Sequence, residues 1–420
     1  MTTNLAARRR LLFLCQTLPY PADGGVHIRT YNIMRLLARD FDVTALCFYR
    51  KASRPSAAHV EASIRGLNRI AAVQAFPIPQ DRSRVRLIWD HVRSVLSQRV
   101  YTRYVYDSSE FRGALSRELA STKYDVVHVD SLDLASYLPA VVDLPVICTH
   151  HNVESDLLRR RAAMEPFPLS AYLRFQSRLM ETEERKGSAV VDLSVAVSRA
   201  DSERLTQISG GAPVLVVPNG VDTEYFRSRG GTREGIVFVG GYTWYPNRDA
   251  LGYFAESILP LIRGHLPDVP VTWVGDAPDS IRQMYESRHN IRLTGFVDDV
   301  RPYIDAAACY VVPLRVGGGT RLKILDAWAM SSPVVSTSLG CEGLDAIDGE
   351  NILIRDTPEA FAEAVVTVLR DTQLRSHLAA AARHTAERTY DWDVIGRGML
   401  DHYRSVAVRH GAADAVEAVT

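Results

Sequence analysis

The sequence carries no surplus of either charge: 49 Lys and Arg stand against 49 Asp and Glu in 420 residues. A formal net charge of zero leaves no global electrostatic footprint for nucleic acid, which recruits basic surfaces. Cysteine is scarce too. The five present, Cys15, Cys47, Cys148, Cys309 and Cys341, are scattered, mostly within apolar runs, and form no Cys-x-x-Cys pair. They are expected as reduced core residues of a cytoplasmic protein, and no metal site is expected. No apolar run approaches the ~18 residues that mark a membrane-spanning helix. The opening MTTNLAARRRLLFLC superficially resembles a signal peptide, but its apolar run from Leu11 to Cys15 ends in polar Gln16 and Thr17. That is too short for a signal core and reads as a buried first strand. No Gly-x-Gly-x-x-Gly follows that strand, which disfavours a dinucleotide dehydrogenase. No internal repeat or low-complexity segment stands out.

What is present describes a globular α/β protein. With 46% hydrophobic and 23% charged residues, the chain is long enough for two domains of roughly 200 residues each. Short β-branched runs near 10–15, 43–49, 69–75, 125–129, 145–149 and 193–197 alternate with helical patterns at 26–39, 109–120 and 154–187. A second series of strands is expected near 213–217, 236–240, 271–275, 291–294, 309–314 and 333–337. Helices near 247–264, 278–287, 298–307, 320–331 and 358–386 lie between and after these strands. Apolar strands with crossover helices imply parallel sheets covered on both faces. The Gly-, Pro- and Asn-rich stretch from Gly210 to Arg233 is the expected boundary. Residues 1–209 and 210–390 then form the two domains, and residues 391–420 hold a last helix, from Trp392 to about Val406. Ligands of such sheets bind at strand carboxyl ends, so the site is expected in a cleft between the two halves.

The most informative segment is RVGGGTRLKILDAWAM, from Arg315 to Met330. It follows the apolar run CYVVPL, and Leu322, Leu325, Ala329 and Met330 recur at helical spacing. Gly317, Gly318 and Gly319, with Thr320 beside them, therefore sit on a strand-to-helix turn, where backbone can approach a ligand and free first-turn amides attract an anion. Arg321 and Lys323 at a helix start oppose the dipole by roughly 0.3–1 kcal/mol each, which suggests that a bound anion reverses the balance. Asp326, about a turn further on, suits a ribose hydroxyl. The alternative is a flexible glycine turn with solvated charges.

Other strand ends add candidates. Gly24 and Gly25 open a helix after the first strand. His150 and His151 follow the strand PVICT. Gly240 and Gly241 follow IVFV, with Asn247 starting a helix and Arg248 in its first turn. Adjacent histidines diverge and lack further ligands, so a histidine that polarises substrate is favoured over a metal site, with a structural role as the alternative. The Asp-x-Asp pairs at Asp40/Asp42 and Asp391/Asp393 read as helix-boundary residues. The basic stretch RSRVRLIWDHVRSVLSQRVYTRY, from Arg82 to Tyr104, allows two readings: an interfacial helix on an anionic membrane, or an amphipathic helix covering the first sheet. The second is preferred.

These pieces together resemble the GT-B-fold glycosyltransferases of family four, the large group of retaining enzymes of cell-envelope and exopolysaccharide synthesis. The matching stretches are PYPADGGVHIRTYN, THHN, VPNGVDTEYF, FVGGYTWYPNRDAL, GFVDDVRPYI, PLRVGGGTRLKILDAWAMSSPVVST and CEGL, in the family's order along nearly the whole chain. The resemblance implies two Rossmann-like domains facing a central cleft, 1–209 binding the acceptor and 210–390 the donor, with the last helix in 391–420 crossing back to the first, and transfer, hexosyl in type, from a nucleotide-diphosphate sugar as co-substrate. It implies no cofactor or metal, and a glycan, lipid-linked or small-molecule acceptor. Gly24 and Gly25 would approach the donor diphosphate, and His151, or His150, would face the sugar. Arg321 and Lys323 would neutralise the leaving group, with Arg248 a further candidate, and Asp326 would bind the ribose. Gly241, Gly317, Gly318, Gly319 and Thr320 complete the expected donor site. The family commonly carries two glutamates separated by seven residues; here Gly318 and Asp326 occupy those positions. A GT-B sugar-nucleotide epimerase and a non-catalytic nucleotide-sugar-binding protein are the rival readings. The expected location is the cytoplasm, peripheral at the inner face of the plasma membrane in the first reading of the basic stretch.

Overall fold

The computed structural model describes residues 8–54, 56–318 and 321–417. The chain divides into two compact units, Met1–Val217 with Gly396–Thr420, and Pro218–Ile395.

Among the described residues, the first unit is built on a seven-stranded sheet of order β3-β2-β1-β4-β5-β6-β7. Its strands are β1 (Arg9–Cys15), β2 (Phe41–Tyr49), β3 (Ala72–Pro77), β4 (Val126–Val129), β5 (Val146–Thr149), β6 (Leu193–Ala196) and β7 (Val214–Val216). Every pairing is parallel. All of β4 and β5 is buried, which is why they read as largely apolar runs rather than alternating ones. Phe48, Phe111 and Tyr137 pack in the core on one side of this sheet. The C-terminal helix, Trp392–Glu417, contributes Tyr403, whose hydroxyl meets His128 Nδ1 at 2.7 Å. Gly396 of the same helix lies so close to Leu36 that a Cβ there would stand 2.5 Å from its Cδ2.

The second unit holds a six-stranded parallel sheet of order β10-β9-β8-β11-β12-β13. Its strands are β8 (Ile236–Val239), β9 (Val271–Val274), β10 (Arg292–Leu293), β11 (Cys309–Val312), β12 (Val334–Ser336) and β13 (Leu353–Ile354). Phe238 stacks on Trp273 in its core, with ring centroids 3.7 Å apart.

Several elements differ from the sequence reading, among them the single helix expected over 358–386, which is two, Pro358–Arg370 and Thr372–Thr385, parted at the extended Asp371. The strand expected to open the second half, near 213–217, is β7, paired with β6 from Ser194↔Val214 to Ala196↔Val216. It belongs to the first sheet because the composition break it was assigned to begins with Gly210 and Gly211, the left-handed end of the helix Arg199–Ser209, while the chain leaves the sheet only after Val217. The single helix expected over 154–187 is two, Glu154–Met164 and Leu169–Ser188, since Pro166 and Pro168 interrupt the hydrogen-bond ladder. The helix Arg84–Ser97 buries Asp90 and Ser94 and turns its apolar residues to solvent. It therefore does not cover the sheet with an apolar face.

Candidate functional site

In the second unit the strand order reverses between β8 and β11. That switch point leaves a crevice beyond the strand carboxyl ends, where doubly wound sheets take ligands. β8 runs into Gly240 and Gly241, and β9 into Gly275. A Cβ at Gly275, whose φ is +147°, would lie 2.6–2.7 Å from Gly240 C and O and from Gly241 N. Only glycine permits this backbone contact, and the contact fixes the loop floor. Past it, Asn247 sits buried in the helix Tyr245–Tyr253, donating from Nδ2 to Gly241 O at 3.0 Å. From the other side of the switch point, Lys323 Nζ donates to Asn247 Oδ1 at 2.8 Å and lies 4.0 Å from the Phe238 ring centroid. Burial, helped by the charge of Arg321, holds the Lys323 amine well below the ordinary lysine range, against the pull of Asp326. Burial also pushes the Asp326 carboxyl up to about 7, with Lys323 opposing. An amine whose hydrogen-bond acceptor is a neutral amide is poised to gain from an anion.

Arg321 is buried and caps the helix Leu322–Ala329, which has no side-chain cap and no acid in its first turn. Its Nη1 donates to Gly318 O at 2.6 Å. Gly317, with φ +108°, lies against Pro246, where a Cβ would stand 3.1 Å from Cγ. Thus Gly241, Gly317, Gly318, Arg321 and Lys323 cluster at the switch point with Asn247, and Asp326 lies one turn along the helix. Arg248 is exposed, with its guanidinium 5.8 Å from the Tyr242 ring centroid. Gly319 and Thr320 lie outside the described residues. Arg315 is engaged elsewhere, in a two-pronged pair with Asp249 at 2.8 and 3.2 Å.

The first unit reverses its order between β1 and β4, and a buried polar cluster fills that point. At its centre is Asp130, directly after β4. Its Oδ2 accepts from Thr30 Oγ1 at 2.7 Å and faces His151 Nε2 at 3.5 Å, while Oδ1 faces His128 Nε2 at 3.6 Å. Burial alone would raise this carboxyl, but His151 and His128 outweigh it and hold it well below the usual range. Arg29 is buried nearby, donating to Val217 O at 2.8 Å; burial lowers it to about 10, against the opposing charge of Asp130. His150 is buried, and burial lowers it to about 4, so it is neutral. Its backbone N–H extends the β5–β6 ladder to Val195 O at 2.8 Å. Gly24 and Gly25 start the helix Gly25–Leu37, which has no side-chain cap and no first-turn acid. A Cβ at Gly24 would meet nothing nearer than His27 Nδ1 at 4.0 Å.

Sequence reasoning missed Asp130, and it named Asn247 only as a helix start, without its contact to Lys323. The signal for Asp130 was an acid directly after the apolar VVHV, one among many acids at strand ends. Among the described residues no group of three or more His, Cys, Asp or Glu is placed to hold a metal ion. Both Asp-x-Asp pairs have structural partners: Asp391 accepts from Thr223 Oγ1 at 2.6 Å and from Asp393 N at 2.8 Å, and Asp40 accepts from Arg404 Nε at 2.6 Å.

Two doubly wound units, each with polar residues gathered at its switch point, define the GT-B class of fold. Solved structures agree. Sucrose-phosphate synthase from Thermosynechococcus elongatus superposes with a TM-score of 0.68 at 16% identity, covering 96% of this chain and 100% of that one. HepE of Anabaena, solved in complex with UDP, gives 0.65 at 14% identity over 94% and 100%. Residues 23–225 match the model of Glycosyltransferase Family 4, and residues 233–371 that of Glycosyl transferases group 1. The phosphatidyl-myo-inositol mannosyltransferase of Mycobacterium tuberculosis is 26% identical over 309 residues, 69% of this chain and 76% of that protein. A D-inositol 3-phosphate glycosyltransferase of Xylanimonas cellulosilytica is 27% identical over 326 residues, 69% and 74%. The chain belongs to the GT-B-fold glycosyltransferases of family four. It is a transferase enzyme of glycan biosynthesis.

Proposed function

We propose that this glycosyltransferase takes its sugar from a nucleotide-diphosphate sugar held at the switch point of the second unit, without a metal and with retention at the anomeric carbon. The observation that carries the reading is the Lys323 amine, hydrogen-bonded to the neutral Asn247 amide beside the buried Arg321. As the bond from anomeric carbon to phosphate oxygen breaks, its electron pair passes to the diphosphate. Fixed cations and uncapped helix amides stabilise that charge without reorganising. Arg321 and Lys323 take this role and Asp326 binds the ribose, while the family resemblance assigns His151 to the sugar and Gly24 and Gly25 to the diphosphate. The acceptor is a glycan or a lipid-linked or small hydroxyl compound. The names of the mannosyl- and inositol-phosphate-directed relatives support a polyol or sugar hydroxyl as the attacking group. Peripheral contact with anionic membrane at the cytoplasmic face belongs to the same reading.

Melting of the purified protein with UDP, GDP or ADP and their sugar conjugates, with and without Mg²⁺, tests the donor half, because a ligand of the native state raises the melting temperature. Stabilisation by one nucleotide without Mg²⁺ is expected. Acceptor-dependent release of nucleoside diphosphate tests the transfer half. Donor turnover to a new sugar nucleotide without acceptor would instead mark an epimerase, and binding with no turnover in any acceptor screen a non-catalytic protein. A diphosphate beside Lys323 favours the charged form of its amine, whose proton affinity burial lowers, so calorimetric binding enthalpies measured across a pH series are expected to vary with buffer in the sense of net proton uptake.

A further inference from the structure

The helix Arg84–Ser97 is amphipathic in the inverted sense. Its inner face is polar: Asp90 and Ser94 are 0% exposed. Asp90 accepts from Arg86 Nε at 3.1 Å, and Ser94 donates to Arg99 O at 2.6 Å and accepts from Gln176 Nε2 at 2.8 Å. Gln176 in turn accepts from Tyr101 N at 2.9 Å, and His91 stacks on the Tyr101 ring with centroids 3.8 Å apart. These bonds fix which side faces inward. Outward lie Val85, Ile88, Trp89, Val92, Val95 and Leu96, each between 42% and 77% exposed. At 3.6 residues per turn they share one arc of about 120°. Arg84 and Arg93 flank the arc, and no acid stands on it; the helix's single acid is the buried Asp90. Between Arg82 and Tyr104 there are six arginines to that one aspartate.

A second apolar projection adjoins it. His91 Nδ1 meets Tyr172 Oη at 2.6 Å, in the first turn of the helix Leu169–Ser188. The corner leading into that turn carries Phe167, 84% exposed, with Met164 and Leu169. A charge-free apolar stripe edged by arginines, with a tryptophan at its border, has the chemistry of the headgroup–acyl boundary of an anionic bilayer. No helix among the described residues is long and apolar enough to cross a membrane.

We propose that the outward face of the helix Arg84–Ser97, together with the Met164–Leu169 corner, docks the protein onto an anionic membrane surface, seating the apolar stripe among the acyl chains and the flanking arginines among acidic headgroups. The proposal sharpens the membrane contact of the transferase reading, and its test needs no turnover. The full chain is floated with vesicles of phosphatidylcholine alone, or with about one-third phosphatidylglycerol added. Binding to the anionic vesicles only is expected, weakened in ~1 M salt, where charges are screened within about 3 Å. The doubly substituted Ile88→Ser, Leu96→Ser variant should lose at least roughly tenfold in partition while melting as the parent does, because neither side chain is in the core. An Arg84→Gln variant should lose less and become less salt-sensitive. Equal flotation of parent and double variant overturns the proposal. So does no flotation at all, or a parent dimer in solution that the double substitution turns into monomers, since a second copy would then own the face. Nucleotide-induced melting shifts measured on the same samples report the donor site separately, so failure of the surface is distinguishable from failure of the transferase reading.

Discussion

The two units run the same topology to opposite electrical ends. Each winds its strands 3-2-1-4-5-6 from its own first strand, with β7 added to the first sheet. Each gathers buried polar groups where the order reverses. In the first unit the centre is a carboxylate, Asp130, that two histidines and a threonine hold ionised. In the second it is an amine, Lys323, partnered by a neutral amide and driven toward its uncharged form. The first cluster offsets the charge of its carboxylate, while Asp130 Oδ1 and the Nε2 atoms of His128, His150 and His151 make no hydrogen bond. In the second, the hydrogen-bond acceptor of Lys323 is a neutral amide, and in the proposed reaction the donor diphosphate supplies the opposite charge. The scaffold sets where a polar group may be buried; the loop residues set its sign and whether it is satisfied.

The comparison can be broken in several ways, and the largest effect is expected at Asp130. Truncation to Ala leaves His128 and His151 facing an empty buried position, and removing one partner of such a buried set costs about 3–5 kcal/mol. Thermal or denaturant unfolding reads this directly, and a loss below about 1 kcal/mol would refute the charge-offsetting role of the two histidines at Asp130. Next is Arg321→Ala, expected to lower turnover by about 10²–10³, the scale of removing one preorganised charge-stabilising donor. Unchanged turnover would take Arg321 out of the mechanism. Third is Gly275→Ala, whose Cβ must displace the Gly240–Gly241 backbone. A loss of about 1–3 kcal/mol is expected from the strained conformation, with weaker nucleotide binding.

The pH dependences should have opposite signs, with slopes of at most about 1.4 kcal/mol per pH unit. Asp130 titrates lower in the folded protein than unfolded. Its stabilisation is thus fully present above about pH 4 and fades as pH falls through the folded value, so the melting gap between parent and Asp130→Asn should narrow in acid. Asp326, pushed up to about 7 when folded, holds a proton that the unfolded chain has released. Stability then declines as pH rises from about 4 to about 7, and Asp326→Asn should remove that decline. Parallel pH profiles for the two variants would end the contrast. The smallest effect is expected at Gly24, where a Cβ meets open space. Gly24→Ala should change stability by no more than about 0.5 kcal/mol, so any loss of donor turnover would report ligand approach rather than fold.

Much of this was legible in the sequence because it is local. The apolar runs at 125–129 and 145–149 fall within a residue of β4 and β5, since strands buried on both faces leave little polar alternation to misread. The helix start at Arg321 and Lys323 was legible from the glycines before it and the apolar spacing after it. β7 was assigned to the wrong sheet because its partner, β6, lies beyond an intervening helix. The helix Arg84–Ser97 was given the wrong orientation because an amphipathic pattern fixes two faces without saying which one turns inward. Asp90, Ser94 and Gln176 made that choice through hydrogen bonds between residues up to 82 positions apart.

The sequence by itself determined the strands, the glycine turns and the family, because periodicity, backbone freedom and collinear motifs depend on neighbours along the chain. Only the tertiary structure decided that Asp130 is charged, that Lys323 is driven toward neutrality beside Asn247, and that an arginine-edged apolar stripe faces outward. Those outcomes follow from desolvation and from partners distant in sequence, and both exist only once the chain has folded around them.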